Sequence, residues 1–185
     1  MSSYSEKTKE YVYIALLCAQ GVIIGLVERT IPFPFAFAPG AKLGLANIIT
    51  IVSIYTMPIS ESFLLMAMRL ALTTLLGGTM STFMYSVVGS TLAWLTMLLM
   101  KQLGDHHISM IGISAVGGIM FNVGQLSVAS WIAGSWTVML YMPILSFLGI
   151  FAGVAVGIAA NFLFEHVRTL SRLRFEYAIA KERID

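Results

Sequence analysis

The residues of this sequence most suited to chemistry are ionisable side chains that interrupt long apolar runs. Arg69 lies in the middle of "LLMAMRLALTT", and Glu28, Arg29 and Lys42 lie where other runs end or begin. A charge at the centre of a bilayer costs roughly 2.5 to 3.5 kcal/mol, so Arg69 must face a partner, water or a ligand. Two interpretations stay open: an ion pair between Arg69 and Glu28 that ties helices together, or a cluster of cations that binds an anionic or strongly polar ligand.

Amide side chains form a second candidate feature. Asn122 and Gln125, in "MFNVGQL", are three residues apart and project to nearly the same face of a helix. Such amides can bind a ligand or join neighbouring helices. Asn47 is a weaker candidate, and Trp136 is typical of the membrane interface but could also line a pocket. The predicted substrate-binding residues are Arg29, Lys42, Asn47, Arg69, Asn122, Gln125 and Trp136.

Other chemistries have little support in the sequence. His106 and His107 are adjacent but lack further ligands at metal-binding spacing, so we expect no metal. Cys18 is the only cysteine, which excludes an intrachain disulfide framework. The sequence also lacks a phosphate-binding loop of the GxxxxGK[ST] type. We therefore expect no enzymatic activity and no cofactor.

The composition is typical of an integral membrane protein. Of 185 residues, 58% are hydrophobic and only 11% are charged, too few to cover a water-soluble domain. Eleven basic against nine acidic residues give almost no net field, so a nucleic-acid partner is not expected.

Six apolar segments are candidates for membrane spans. They cover approximately residues 11–30, 42–57, 62–76, 79–100, 108–133 and 137–164. We predict an all-α integral membrane protein in which residues 1–164 form a compact bundle of about six transmembrane helices. Residues 165–185 are predicted to be a cytoplasmic helical tail, either amphipathic at the membrane surface or a solvated continuation of the last span.

The distribution of Lys and Arg predicts the orientation in the cell membrane. Most basic residues fall on the side of the two termini, which are therefore expected to be cytoplasmic. The segment "PFPFAFAPGAK" then lies outside, and its three prolines prevent a helix. It carries aromatic side chains at alternate positions, which form either an interfacial anchor or a lid over an outward-facing cavity: Phe33, Phe35 and Phe37.

Two stripes of small residues indicate close packing. Gly149, Gly153 and Gly157 recur every fourth residue, most simply for packing within the chain. Ala15 and Ala19 form a second such face, suited to a neighbouring span or to a separate protein.

Six short spans, cytoplasmic termini, an outer loop and Ala15-x-x-x-Ala19 together resemble the substrate-binding S component of energy-coupling factor (ECF) transporters. The resemblance implies that Ala15 and Ala19 contact a transmembrane scaffold subunit, which two cytoplasmic ATPases drive. It also implies that the 32–42 loop is the lid of a binding pocket.

A closer likeness comes from "PGAKLGLANI" and "MRLALTTLLGGT". These strings resemble the family called heptaprenyl diphosphate synthase component I, also known as the Gx transporter family, which is placed near the S components. The family name suggests prenyl transfer, but that reaction needs clustered aspartates to hold magnesium. This chain has only Asp105 and Asp185.

We therefore expect a substrate-binding subunit of an ECF-type uptake transporter, with a small and anionic molecule as its ligand. Its partners would be membrane lipid, the scaffold subunit and, through it, the ATPases. The alternative is a non-catalytic membrane subunit in heptaprenyl diphosphate or menaquinone synthesis, or in flavin-linked electron transfer.

Overall fold

The structure, a computed structural model, describes residues 2–31, 42–104 and 108–182. Within these ranges it is entirely helical, as predicted, and contains no strand. The helices are α1 (Ser2–Thr30), α2 (Asn47–Thr56), α3 (Ile59–Leu75), α4 (Met80–Gly104), α5 (Met110–Ala133) and α6 (Met142–Glu182). A short 3-10 helix, Trp136–Tyr141, connects α5 to α6.

Four of the described helical segments are long and apolar enough to cross a membrane: Tyr11–Thr30, Met80–Leu103, Met110–Ala133 and Trp136–Glu165. At about 1.5 Å per residue, α2 is about 15 Å long and α3 about 25 Å, against about 30 Å of hydrocarbon. The chain is thus a helical membrane protein with four full-length candidate spans and two shorter helices between them.

The ends of the helices follow local sequence signals. Helix α2 ends before Met57. This residue is extended because Pro58 follows it, and a residue before proline avoids the helical region. Ser109 caps α5 by accepting a hydrogen bond from the Gly112 amide. Gly134 ends the same helix in the left-handed conformation (φ 61°), between the predicted spans 108–133 and 137–164.

The glycine stripe on α6 packs against α5, which confirms the predicted packing within the chain. A Cβ atom added at Gly149 would lie 2.6 Å from the carbonyl oxygen of Gly118, and one at Gly157 would lie 2.6 Å from Cα of Ile111. Gly153 approaches the backbone of Ser114 in the same way. The backbones of α5 and α6 therefore touch along this stripe.

Helix α2 lies inside the bundle rather than at its surface. Seven of its ten residues are buried, and Ile49 and Ile51 pack in the hydrophobic core with Leu65, Met97 and Ile113. By contrast, α1 and α6 expose large apolar side chains where lipid is expected. A short, centrally buried α2 fixes the connection before it, residues 42–46, among the other helices.

The helical backbone of α6 continues without a break past Phe164 to Glu182. The predicted lid residues Phe33, Phe35 and Phe37 lie outside the residues that the structure describes.

Candidate functional site

A small polar cavity lies between α1, α3, α4 and the 42–46 connection. Its volume is about 20 Å³, which is room for one water-sized group. The polar side chains that line it are Glu28, Lys42, Asn47, Arg69, Thr73, Thr74, Ser86 and Ser90. Three predicted site residues, far apart in sequence, therefore meet at one place.

Arg69 enters the cavity from the middle of α3. Its side chain crosses α1 at Gly21, where an added Cβ would lie 2.6 Å from Cδ of Arg69. One guanidinium nitrogen donates to Oγ of Ser90 at 3.3 Å. The Nε atom is buried and has no hydrogen-bond partner among the described residues. Arg69 is thus a desolvated cation with unused hydrogen-bonding capacity.

Glu28, near the end of α1, binds the backbone of the 42–46 connection. Its Oε1 atom accepts hydrogen bonds from the amides of Gly44 and, at 3.0 Å, Leu45. Gly44 has a φ of 86°, a conformation that favours glycine. Among the described residues, the hydrogen-bond partners of Glu28 are these amides and not Arg69. The hydrogen bonds therefore do not support the interpretation in which Arg69 only ties helices together through Glu28.

Lys42 is held through both its side chain and its backbone. Nζ donates to Oγ of Ser86 at 3.1 Å. The backbone amide donates to Oε1 of Gln125, and Nε2 of Gln125 donates to the Lys42 carbonyl, each at 2.8 Å. Gln125 therefore positions Lys42 from α5.

Asn122 supports Gln125 and joins α5 to α6. Its Oδ1 atom accepts from Nε2 of Gln125 at 3.2 Å, and its Nδ2 atom donates to the carbonyls of Gly118 and Leu145. Neither Asn122 nor Gln125 is among the residues that line the cavity. Their amides act on the protein itself, as in the interhelical alternative considered for them.

Asn47 is the least satisfied polar residue of the site. It is only 3% exposed, and neither its Oδ1 nor its Nδ2 atom has a hydrogen-bond partner among the described residues. A buried polar group without a partner costs about 1 to 3 kcal/mol. Asn47, which lines the cavity, therefore has both its donor group and its acceptor group without a partner among the described residues.

Two other predicted binding residues lie away from the cavity. Arg29 is half-buried beside the turn after α3, where an added Cβ at Gly78 would lie 3.0 Å from a guanidinium nitrogen. Trp136 is exposed and lines a separate pocket with Ser130 and Trp131. Arg29 affects the cavity through its charge, and Trp136 has no contact with it in the part of the chain that is described.

The predicted scaffold contacts Ala15 and Ala19 are both exposed on α1. Leu16 and Ile23 are exposed on the same helix. This face is therefore not used for packing by the described residues.

Two serines that line the cavity, Ser86 and Ser90, were not among the predicted site residues. Ser86 and Ser90 are four residues apart in α4 and thus share one face. That spacing was a usable signal, but serines at such spacing also commonly join membrane helices.

The cavity carries a surplus of positive charge, because Lys42 and Arg69 face a single carboxylate, Glu28. Lys42 lies before α2, outside the spanning helices, and burial is the main cause that lowers its pKa to about 8. The positive charge of Arg29 acts in the same direction and that of Arg69 does so more weakly, whereas Glu28 opposes them. At neutral pH Lys42 remains largely protonated, so the site suits an anion.

Four long apolar helices define a helical membrane protein, and its bundle contains a buried, charged cavity. Residues 17–163 match the family described as heptaprenyl diphosphate synthase component I, and the chain belongs to this family. The match confirms the family resemblance based on the two sequence strings, and the family name designates one component of a synthase. Searches of curated proteins and of solved structures found no match.

Proposed function

We propose that this protein is a non-catalytic, substrate-binding membrane subunit of an ECF-type uptake transporter. Its ligand is a small anionic molecule that binds at the cavity between α1, α3 and α4. One observation carries this proposal: Arg69 and Asn47 are buried at the same cavity with hydrogen-bonding atoms that the described residues leave without partners.

These unpaired groups favour binding over a purely structural role. Polar groups in protein interiors are normally hydrogen-bonded, and exceptions require an explanation. Ser53, Ser62 and Trp94 form a hydrogen-bonded network elsewhere in the bundle. The buried hydroxyls of Thr50, Ser114 and Ser130 also lack partners among the described residues, but these residues do not line the cavity. At the cavity, a ligand would supply the partners that Arg69 and Asn47 lack.

The cavity holds one water-sized group, so a larger ligand requires it to open. The 32–42 loop is the proposed lid, with Phe33, Phe35 and Phe37 as its aromatic face. Lys42 and Gly44 are directly connected to this loop, and Glu28 and Gln125 bind the backbone there. A movement of the loop would therefore change the position of Lys42.

The proposed membrane arrangement has six spans, with α2 and α3 as short ones and both termini in the cytoplasm. Residues 1–164 form the binding domain and residues 165–185 the tail. The cell membrane is the proposed location, and the surplus of Lys and Arg on the side of the termini supports the orientation.

Ala15 and Ala19 form the proposed contact with a scaffold subunit driven by cytoplasmic ATPases. Their exposure leaves a shallow strip on α1 to which another helix can come close. The strip is separate from the cavity, so docking and ligand binding can be tested independently.

The family name supports a second candidate, a non-catalytic membrane subunit in heptaprenyl diphosphate synthesis. In that case the anionic group bound by Arg69 and Lys42 would belong to an isoprenoid diphosphate or a related lipid. The same cavity would then bind a headgroup, with the prenyl chain in the membrane.

Mass spectrometry of the purified protein distinguishes the two candidates. The full chain, with its native membrane partners, is extracted in mild detergent, and bound small molecules and co-purifying proteins are identified. A water-soluble anion together with a scaffold and ATPases supports the transport role. An isoprenoid ligand together with a prenyltransferase subunit would replace it with the second candidate.

A further inference from the structure

We propose that this cavity binds one small monovalent anion, of the size of chloride, through Arg69, Lys42 and Asn47. This inference deepens the proposed function, because it concerns the same cavity. It specifies that the site accepts a single compact negative charge, and that such an ion occupies the position which the anionic group of a substrate takes when the cavity opens.

Charge is the first argument. Lys42 and Arg69 are both at least nine-tenths buried, as is Glu28, which leaves one positive charge uncompensated at neutral pH. An uncompensated charge in a protein interior is strongly unfavourable. Oε1 of Glu28 is also committed to the Gly44 and Leu45 amides. One added negative charge would make the cavity neutral.

Size is the second argument. The cavity of about 20 Å³ accommodates one water-sized particle, and most organic anions exceed this. A halide ion is the anion closest to this size, and it needs only a small adjustment of the side chains around the cavity. A carboxylate or phosphate attached to a larger molecule requires the cavity to open.

The available donors are the third argument. Nε of Arg69 and Nδ2 of Asn47 are buried without partners among the described residues. Nζ of Lys42 is bound to Ser86 and retains further hydrogens. A halide needs donors only, and the three residues that carry these donors all line the cavity. A water molecule would also hydrogen-bond to them, but it would not compensate their charge.

Chloride binding is measured on the purified full chain by the broadening of the ³⁵Cl NMR line, which rises when the ion exchanges with a protein site. We expect broadening that saturates with chloride and is abolished by an excess of bromide. Arg69→Gln should weaken binding at least about tenfold, because it removes a positive charge and its charge-assisted hydrogen bonds to the ion. Lys42→Gln should also weaken chloride binding, and it provides the test if Arg69→Gln fails to fold.

Lys101→Gln is the matched control. Lys101 is also a partly buried cation, but its Nζ donates to the Ile54 carbonyl away from the cavity. This variant should bind chloride normally. No saturable broadening in the unmodified protein would overturn the proposal, as would binding that persists unchanged in both cavity variants.

The chloride-binding test and the test of scaffold co-purification can fail independently of each other. Loss of scaffold co-purification with intact chloride binding would remove the transport role and retain the anion site. Scaffold binding without any anion binding would retain the transport role and remove the anion site.

Discussion

Gln125 forms two hydrogen bonds with the backbone of Lys42, one donated and one accepted, each 2.8 Å long. The two residues are 83 positions apart in the chain. Together with Glu28, which binds the next turn of backbone, this pair fixes the 42–46 connection against α1 and α5. The position of the Lys42 ammonium group therefore depends on side chains that do not line the cavity.

Gln125→Glu should weaken both stability and anion binding. A carboxylate cannot donate to the Lys42 carbonyl, so one buried acceptor loses its partner at a cost of about 1 to 3 kcal/mol. Thermal unfolding in detergent and chloride affinity are the measurements. Ser127→Ala, which removes a hydrogen bond within α5 alone, is the control and should change neither by a comparable amount. Equal effects of the two substitutions would show that Gln125 has no special role.

Gly21→Val should displace Arg69 from the cavity. Even the first added carbon would lie 2.6 Å from Cδ of the arginine, so the side chain has to move. We expect loss of at least about tenfold in anion affinity, since the guanidinium hydrogen bonds to the ligand are charge-assisted. Gly112→Ala, where the nearest atom is 3.3 Å away at the end of a side chain, is the control. Unchanged affinity in Gly21→Val would contradict the position of Arg69.

Replacing Ala15 and Ala19 together with leucine should abolish co-purification with a scaffold subunit and leave anion binding intact. The larger side chains would prevent the close approach of a partner helix. Ala159→Leu makes the same kind of change on the exposed surface of α6 and should retain the scaffold. Retention of the scaffold by the double variant would refute docking through this face.

Anion affinity should be constant below about pH 8 and decrease above it, in step with the pKa of Lys42. The sign follows from charge: the protonated amine attracts the anion, and binding is lost as the pH rises and the proton leaves. The ionisable groups around Lys42 are Glu28, Arg29 and Arg69, while α4 and α5 contribute the neutral Ser86 and Gln125.

Lys42→Arg provides the matched test, since its guanidinium stays charged throughout this range. Its affinity should not fall between pH 7 and pH 9. A chloride titration repeated at several pH values measures both proteins. A decrease of the same size in Lys42→Arg would assign the pH dependence to another group.

Periodicity and composition were sufficient to predict an all-α membrane protein and the packing of Gly149, Gly153 and Gly157. They also identified Arg69, Lys42 and Asn47, because a polar side chain is conspicuous within an apolar segment. These inferences depend only on the local cost of placing a residue in lipid. Tertiary geometry adds little to them.

The roles of Gln125 and Glu28 could not be predicted in the same way. Both bind backbone groups of the 42–46 connection. Every residue has a backbone carbonyl, and all except proline have a backbone amide, so the sequence does not show which of these groups a side chain binds. Likewise, Gly21 of α1 leaves space for the side chain of Arg69 of α3. Predicting this contact requires knowing that the two helices cross there. The start of α2 was placed too early, at Lys42, because Gly44 and the two hydrogen bonds of Glu28 keep that segment out of the helix.

The most direct test of a ligand site at Arg69 and Asn47 is an anomalous difference map from crystals of the full chain grown in bromide. We expect one peak within hydrogen-bonding distance of both side chains, with Lys42 beside it. A map without that peak, in which Arg69 is hydrogen-bonded to Glu28 and the space between them is filled, would contradict the assignment of this cavity as a binding site.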